Sequence, residues 1–161
     1  MNKLLADKIK DWKGAEQTVS LWKKEGNTIV FTNGCFDLLH PGHVDYLFEA
    51  KALGDKLVIG LNSDSSVSEL KGPHRPIQNQ HARSVIIAAL SCSDLIVIFN
   101  EQTPLELIAM LQPDVLVKGG DYKVEEIVGY NIVVENGGKV LTLDFLPGYS
   151  TSAIESKIKS T

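Results

Sequence analysis

Residues 31–55 read FTNGCFDLLHPGHVDYLFEAKALGD, and the rest of the chain is best read outward from them. Phe31 ends a β-branched run, Thr28–Phe31, and Thr32-Asn33-Gly34 has the small, polar character of a turn. Pro41 suits the first position of a helix, where its missing N–H would have had no partner anyway. The stretch therefore predicts strand, turn and then a helix near residues 42–53. His40 and His43 are three apart and share one side of that helix's first turn. Unpaired N–H groups and the positive end of the helix dipole favour a phosphate there. Two imidazoles beside it can donate hydrogen bonds to oxygens whose charge grows during phosphoryl chemistry. Two plainer readings compete. A zinc site would need a third or fourth ligand at recognisable spacing, and Cys35 is the only soft candidate nearby. Surface or capping histidines need no function at all. Neither G-x-G-x-x-G nor G-x-x-x-x-G-K-[ST] is present, so neither a dinucleotide fingerprint nor a P-loop is supported.

Beyond this stretch, short apolar strands alternate with longer helical patterns. Further strand candidates are Leu57–Leu61, Leu95–Phe99, Val115–Val117 and Val140–Leu143. Helical stretches fall near residues 79–91, 104–111 and 124–136, and a last helix follows Ser152. Residues 2–25 read as one helix, with Leu4, Leu5, Ile9, Trp12, Val19 and Trp22 available for burial and Gly26 as its stop. Continuous apolar strands separated by helices indicate a parallel sheet covered on both faces. The expectation is an α/β fold with a Rossmann-like five-stranded parallel sheet, as a single domain: residues 1–26 as a helical extension and 27–161 as the core. Right-handed crossovers gather the loops that leave the strands along one edge, where an α/β ligand site is expected.

Composition narrows the function classes. The chain has 161 residues and a formal net charge of −4, so a general nucleic-acid surface is not expected. No apolar run approaches the roughly 18 residues of a membrane span, and the start MNKLLADKIKDWKG lacks the apolar stretch of a secretory signal. Two cysteines, Cys35 and Cys92, make no disulfide framework, which is consistent with the cytoplasm. Against this acidic background, Lys71, His74, Arg75, His81 and Arg83 cluster within thirteen residues. Pro73 and Pro76 keep the middle of that segment out of helix. A mobile cationic loop of this kind can close over a triphosphate; its plain alternative is a solvated basic turn. Lys118-Gly119-Gly120-Asp121 follows a strand, and paired glycines let a flat base or ribose approach the backbone. Ser152 with Glu155 has the form of a capping box, while Ser150 and Thr151 would present a second helix N-terminus to phosphates. Cys35 reads as a small packed residue, since no base sits beside it to activate a nucleophile.

Five motifs in order carry a resemblance: FTNGCFDLLHPGHVDYL, LNSD, LKGPHRPI, LVKGGDY and YSTSAI. His40-Pro41-Gly42-His43 resembles the H-x-G-H signature of the nucleotidyltransferase superfamily that includes cytidylyltransferases. The set as a whole, from about Thr28 to Ile158, is similar to heptose-1-phosphate adenylyltransferases. That resemblance implies adenylyl transfer from ATP to D-glycero-β-D-manno-heptose 1-phosphate, giving ADP-heptose for the lipopolysaccharide core. It implies catalytic roles for His40, His43 and Lys71. It implies nucleotide binding by Thr32, Asn33, Gly34, Cys35, Phe36, Asp37, Arg83, Lys118, Gly119, Gly120, Asp121, Ser150 and Thr151, and sugar-phosphate binding by Asn62, Asp64 and Arg75. Mg²⁺ is implied, with Asp37 as a candidate ligand and phosphate oxygens supplying much of its coordination. A homodimer is implied as well. The family commonly carries a sugar-kinase domain for which 161 residues leave no room, so the kinase step is expected from another chain. Leu146-Pro147-Gly148 departs from relatives that carry an arginine before the last motif, which weakens transfer from the cytidylyltransferases. The alternatives are a glycerol-phosphate type of cytidylyltransferase and a non-catalytic nucleotide-binding module.

Overall fold

The computed structural model describes residues 2–120 and 122–160. Six parallel strands form one sheet: β1 (Ile9–Lys10), β2 (Ile29–Gly34), β3 (Lys56–Asn62), β4 (Leu95–Phe99), β5 (Val115–Gly119) and β6 (Lys139–Leu143), in the order β1-β4-β3-β2-β5-β6. Among the described residues, eight α-helices flank or connect them: α1 (Lys3–Ala6), α2 (Trp12–Lys24), α3 (Pro41–Lys51), α4 (Asp64–Lys71), α5 (Gln80–Ala88), α6 (Leu105–Leu111), α7 (Tyr130–Glu135) and α8 (Thr151–Lys159).

Alternation along the strands builds two cores, as the pleat requires. Ile29, Phe31, Val58, Val97 and Leu116 face α2, α6 and α7, meeting Val19, Leu107 and Val133. Val30, Leu57, Ile59, Ile96 and Val117 face the other way, toward Leu47 of α3 and Ile87 of α5. Helices therefore cover both faces, and no described helix is long and apolar enough to cross a membrane.

Four expectations change. The sheet has six strands, not five, and residues 2–25 are not one helix. Asp11 accepts a hydrogen bond from the Gly14 N–H at 2.8 Å and starts α2 afresh. The preceding Ile9 and Lys10 pair with Ile96 and Val97 of β4, and Leu4, expected to be buried, is 74% exposed. Residues 124–136 also split, into a 3₁₀ turn (Val124–Glu126) and α7. Between them Gly129 sits at φ +93°, where a β-carbon would strike the Ile108 side chain. Finally, α4 was not expected: Ser63 caps it by accepting from the Ser66 N–H, and Lys71 is its last residue. Lys71 thus closes a helix, and the nonhelical segment begins at Gly72, which ends α4 at φ +98°.

From β2 the chain runs outward to β3 and β4, then crosses back to β5 on the other flank of β2. The carboxyl ends of β2 and β5 are therefore the switch point, where an α/β sheet opens a crevice.

Candidate active site

A cavity of about 590 Å³ lies at that switch point. Its β2 side is Asn33, Gly34, Cys35, Phe36 and Asp37; Lys118 and Gly119 come from the end of β5, His43 from α3, Lys71 from α4 and Thr151 from α8. Four chain segments distant in sequence thus bring expected residues into one hollow.

The two histidines are held by their neighbours. His40 is the N-cap residue of α3 by position, but its side chain makes no capping bond, so the first-turn N–H groups keep no side-chain acceptor. Its carbonyl accepts from the N–H groups of His43, at 2.9 Å, and Val44. The two imidazoles stack with centroids 3.8 Å apart. Gly42 is small for a reason: a β-carbon there would lie 3.2 Å from the His40 ring. Phe36 meets His43 edge-on at 5.3 Å from a left-handed backbone, φ +46°. Such a conformation costs an aromatic residue roughly 1–3 kcal/mol, strain of the kind that gathers at functional sites. Gly34 leaves room for that ring, since a β-carbon would come within 2.9 Å of it. Nδ1 of both histidines is buried with no hydrogen-bond partner among the described residues. Burial, reinforced by the positive charge of His40 and Lys71, pushes His43 down to about 4, and burial also lowers His40. His43 is therefore neutral near pH 7 and presents a donor without a charge of its own.

Lys118 reaches back to β2 and donates to Asn33 Oδ1 at 3.3 Å. Burial lowers its ammonium, with the Cys35 thiolate acting the other way, so an anion entering the cavity would restore what burial has taken. The Cys35 thiol is itself pushed up by burial against the pull of Lys71, Arg83 and Lys118, which leaves it a poor nucleophile. Thr32 is buried and does not line the cavity; its hydroxyl lies 2.6 Å from that of Tyr46, which does.

Other expected residues are committed elsewhere. Asp37 Oδ1 accepts from the Ile77 and Gln78 N–H groups, and its Oδ2 pairs with Arg75. Burial works against its charge, but the Gln78 N–H, Arg75 and the Ile77 N–H outweigh it and hold the carboxyl below its usual range. Both oxygens are engaged, so Asp37 anchors the segment after α4 and is not free as a metal ligand. Arg75 also pairs with Glu155 of α8, so its guanidinium bridges two carboxylates. Arg83 is fully buried: it donates to the carbonyls of Gln78, Cys35 and Asn62 and pairs with Asp64 at 2.8 Å. These bonds knit the ends of β2 and β3 to α5, which makes Arg83 a structural tie and leaves Asp64 holding that tie. Asn62 lines the cavity and donates to the Ser66 hydroxyl. Gly120 lies beside the cavity against Phe145, and Asp121 falls outside the described residues. At α8 the cap is Ser150, accepting from the Ala153 N–H at 3.1 Å, not Ser152. Glu155 turns to Arg75 in place of the expected capping box, because the helix starts two residues earlier than the pattern suggested. Sequence reasoning missed Tyr46, Tyr122 and Phe145; the last two are exposed aromatics just beyond strand ends, a signal that was there to read.

A model of the cytidylyltransferase-like family matches residues 31–157, a span that holds all of this machinery. The chain belongs to the cytidylyltransferase-like family. It is 51% identical over 153 residues to the bifunctional protein HldE of Caulobacter vibrioides, covering 95% of this chain and 32% of that one. The corresponding protein of Magnetococcus marinus is 48% identical over 155 residues, covering 96% and 32%. The chain thus spans about a third of the length of these curated relatives. Among solved structures, the lipopolysaccharide core biosynthesis protein of Thermoplasma volcanium is similar with a TM-score of 0.62 and 29% identity, over 75% of this chain and 98% of that one. Pantoate-β-alanine ligase of Francisella tularensis, at 14% identity and a TM-score of 0.57 over 94% and 76%, shares the fold. In this cytidylyltransferase-like core, the H-x-G-H helix is thus one wall of the switch-point cavity.

Proposed function

We propose that the protein transfers an adenylyl group from ATP to D-glycero-β-D-manno-heptose 1-phosphate, forming ADP-heptose and pyrophosphate. The observation that carries the reading is the stacked His40–His43 pair at the uncapped start of α3, with His43, Lys71 and Lys118 lining one cavity. The ordered motif set and the half-identical HldE relatives support the choice of substrate.

A phosphate oxygen of the sugar phosphate attacks the α-phosphorus of ATP. The bond from that phosphorus to the bridging oxygen breaks, and pyrophosphate leaves with the electron pair. The attacking oxygen is already anionic, so no general base is needed, and none is identifiable beside Cys35. Catalysis is then positioning and charge stabilisation. Neutral His43 donates to the phosphate oxygens as their charge grows, with His40 stacked behind it. Lys71, at the end of α4, and Lys118, in β5, neutralise the phosphates, and the positive end of the α3 dipole adds to this.

Mg²⁺ belongs to the proposal as part of the MgATP substrate. No group of three or more His, Cys, Asp or Glu among the described residues is arranged to hold a metal, and Asp37 is engaged. The triphosphate oxygens would carry the ion, as hard Mg²⁺ prefers. The reading also includes a homodimer, a cytoplasmic location and a heptose kinase activity outside these 161 residues.

The deciding experiment measures pyrophosphate release from each of four nucleoside triphosphates with a panel of sugar and polyol phosphates. Release with ATP and the heptose 1-phosphate is expected. Release only with CTP and glycerol 3-phosphate would overturn the substrate assignment, and no release with any pair would leave a nucleotide-binding module.

A further inference from the structure

Residues 144–149, after β6, have no regular secondary structure, yet they lay one ring firmly against the end of β5. A β-carbon on Gly119 would stand 2.5 Å from the Phe145 ring, and one on Gly120 3.0 Å from it. The two glycines form a flat seat that no larger residue would leave open. Tyr46 flanks the same ring, with centroids 6.3 Å apart. Phe145 nevertheless stays 56% exposed and lines the cavity. Core packing does not account for an aromatic side chain that is seated on backbone and left so open. Pro104, Ile127 and Val128 contribute apolar surface to the same cavity. Lys118, one residue before the seat, directs its ammonium away to Asn33 on β2.

We propose that Phe145 is the nucleobase platform of this site: the base stacks on the open part of its ring, and Gly119 and Gly120 are small in order to seat that ring. The inference rests on the reading of the cavity as a nucleoside triphosphate site and gives its two ends different tasks. His43 and Lys71 take the phosphates, and Phe145 takes the base. It also changes the role expected of the glycines, which serve the base through the phenyl ring. Every base has a π-face, so this platform contributes affinity without choosing among bases.

Calorimetric titration of the full chain, with Mg²⁺, tests this using a non-hydrolysable ATP analogue and inorganic tripolyphosphate, which has no base. Phe145→Ala should weaken the analogue about tenfold and leave tripolyphosphate nearly unchanged, whereas Phe145→Trp should bind the analogue about as well as wild type. Gly119→Ala should unseat the ring and weaken the analogue, and the double variant should bind no worse than Phe145→Ala alone, because both changes remove one interaction. Thermal melting verifies that each variant is folded, and Phe145→Leu, with the same attachment and no π-face, should behave like Phe145→Ala. The proposal is overturned if Phe145→Ala binds the analogue as wild type does. It is equally overturned if both probes weaken together, or if Gly119→Ala adds a further loss in the Phe145→Ala background. If the wild-type protein binds tripolyphosphate and the analogue not at all, the nucleotide reading of the cavity fails instead.

Discussion

Replacing Arg83 by methionine separates two accounts of that side chain by their thermodynamics. Its guanidinium is fully buried, while Asp64, its ionic partner, has a side chain 41% exposed. Methionine keeps much of the volume and removes every donor. The carbonyls of Gln78, Cys35 and Asn62 then lose their partner, and a buried acceptor left unpaired costs about 1–3 kcal/mol. Water from the adjoining cavity can recover part of this near Cys35, and Asp64 stays hydrated, so the ionic loss is smaller than for a fully buried pair. Together these give a destabilisation of roughly 3–5 kcal/mol, in the range found for breaking buried charge networks. For a chain of this length each kcal/mol lowers Tm by about 2–4 °C, so calorimetry should show a fall on the order of 10 °C. Binding of the ATP analogue, measured well below that Tm, should weaken only modestly. Arg83→Lys should recover part of the loss, because one ammonium can reach some but not all of the four acceptors. A variant that melts within about 2 °C of wild type but loses ATP affinity would refute the reasoning and return Arg83 to the phosphates.

Other consequences follow from the same geometry. His43→Ala should lower kcat by about 10²–10³ with a smaller change in ATP binding, as for loss of a donor used mainly in the transition state; unchanged kcat in the folded variant would refute the role. Lys71→Ala should weaken ATP and CTP alike in competition titrations, because a point charge reads phosphate and not base; a changed ATP-to-CTP ratio would count against it. His43 titrates at about 4 when folded against its ordinary 6.5, so between these values the unfolded chain binds the proton first. Its contribution to stability is thus complete above pH 6.5 and is lost as pH falls toward 4, and denaturant titrations of His43→Gln should lack that portion. Gln112 ends α6 at φ +46°; Gln112→Gly should therefore stabilise by about 0.5–1 kcal/mol, read as a small rise in Tm.

Sequence revealed most where a residue's meaning is local. Pro41 marked the start of α3 within one position, and the apolar runs located β3, β4 and β5 because buried parallel strands carry their pattern in themselves. Legibility failed where the meaning lies in a distant partner. Ile9 and Lys10 are too short a strand to show a period and exist as β1 only because β4 offers Ile96 and Val97. The serines after Asn62 looked like loop because Ser63 caps α4 and Ser65, Ser66 and Ser68 lie inside it, where serine is only a modest helix former. Arg83 and Arg75 looked like surface cations beside a phosphate site, since a sequence shows a charge but not the carbonyls and carboxylates that enclose it. The histidine pair was legible as a pair, whereas the burial that keeps it neutral was not.

The two-residue strand β1 has a further consequence, one that concerns solubility. It occupies the outer edge of β4, and Lys8 fixes it there by donating to the Ala88 and Leu90 carbonyls. Without it, the apolar strand Leu95-Ile96-Val97-Ile98-Phe99 would offer an open row of N–H and C=O groups, a template on which another chain can add a strand. Residues 8–10 thus act as a molecular blank, filling a socket that would otherwise accept foreign strands. Loosening them with a proline at Ile9 would leave the switch-point cavity intact while inviting self-association edge to edge.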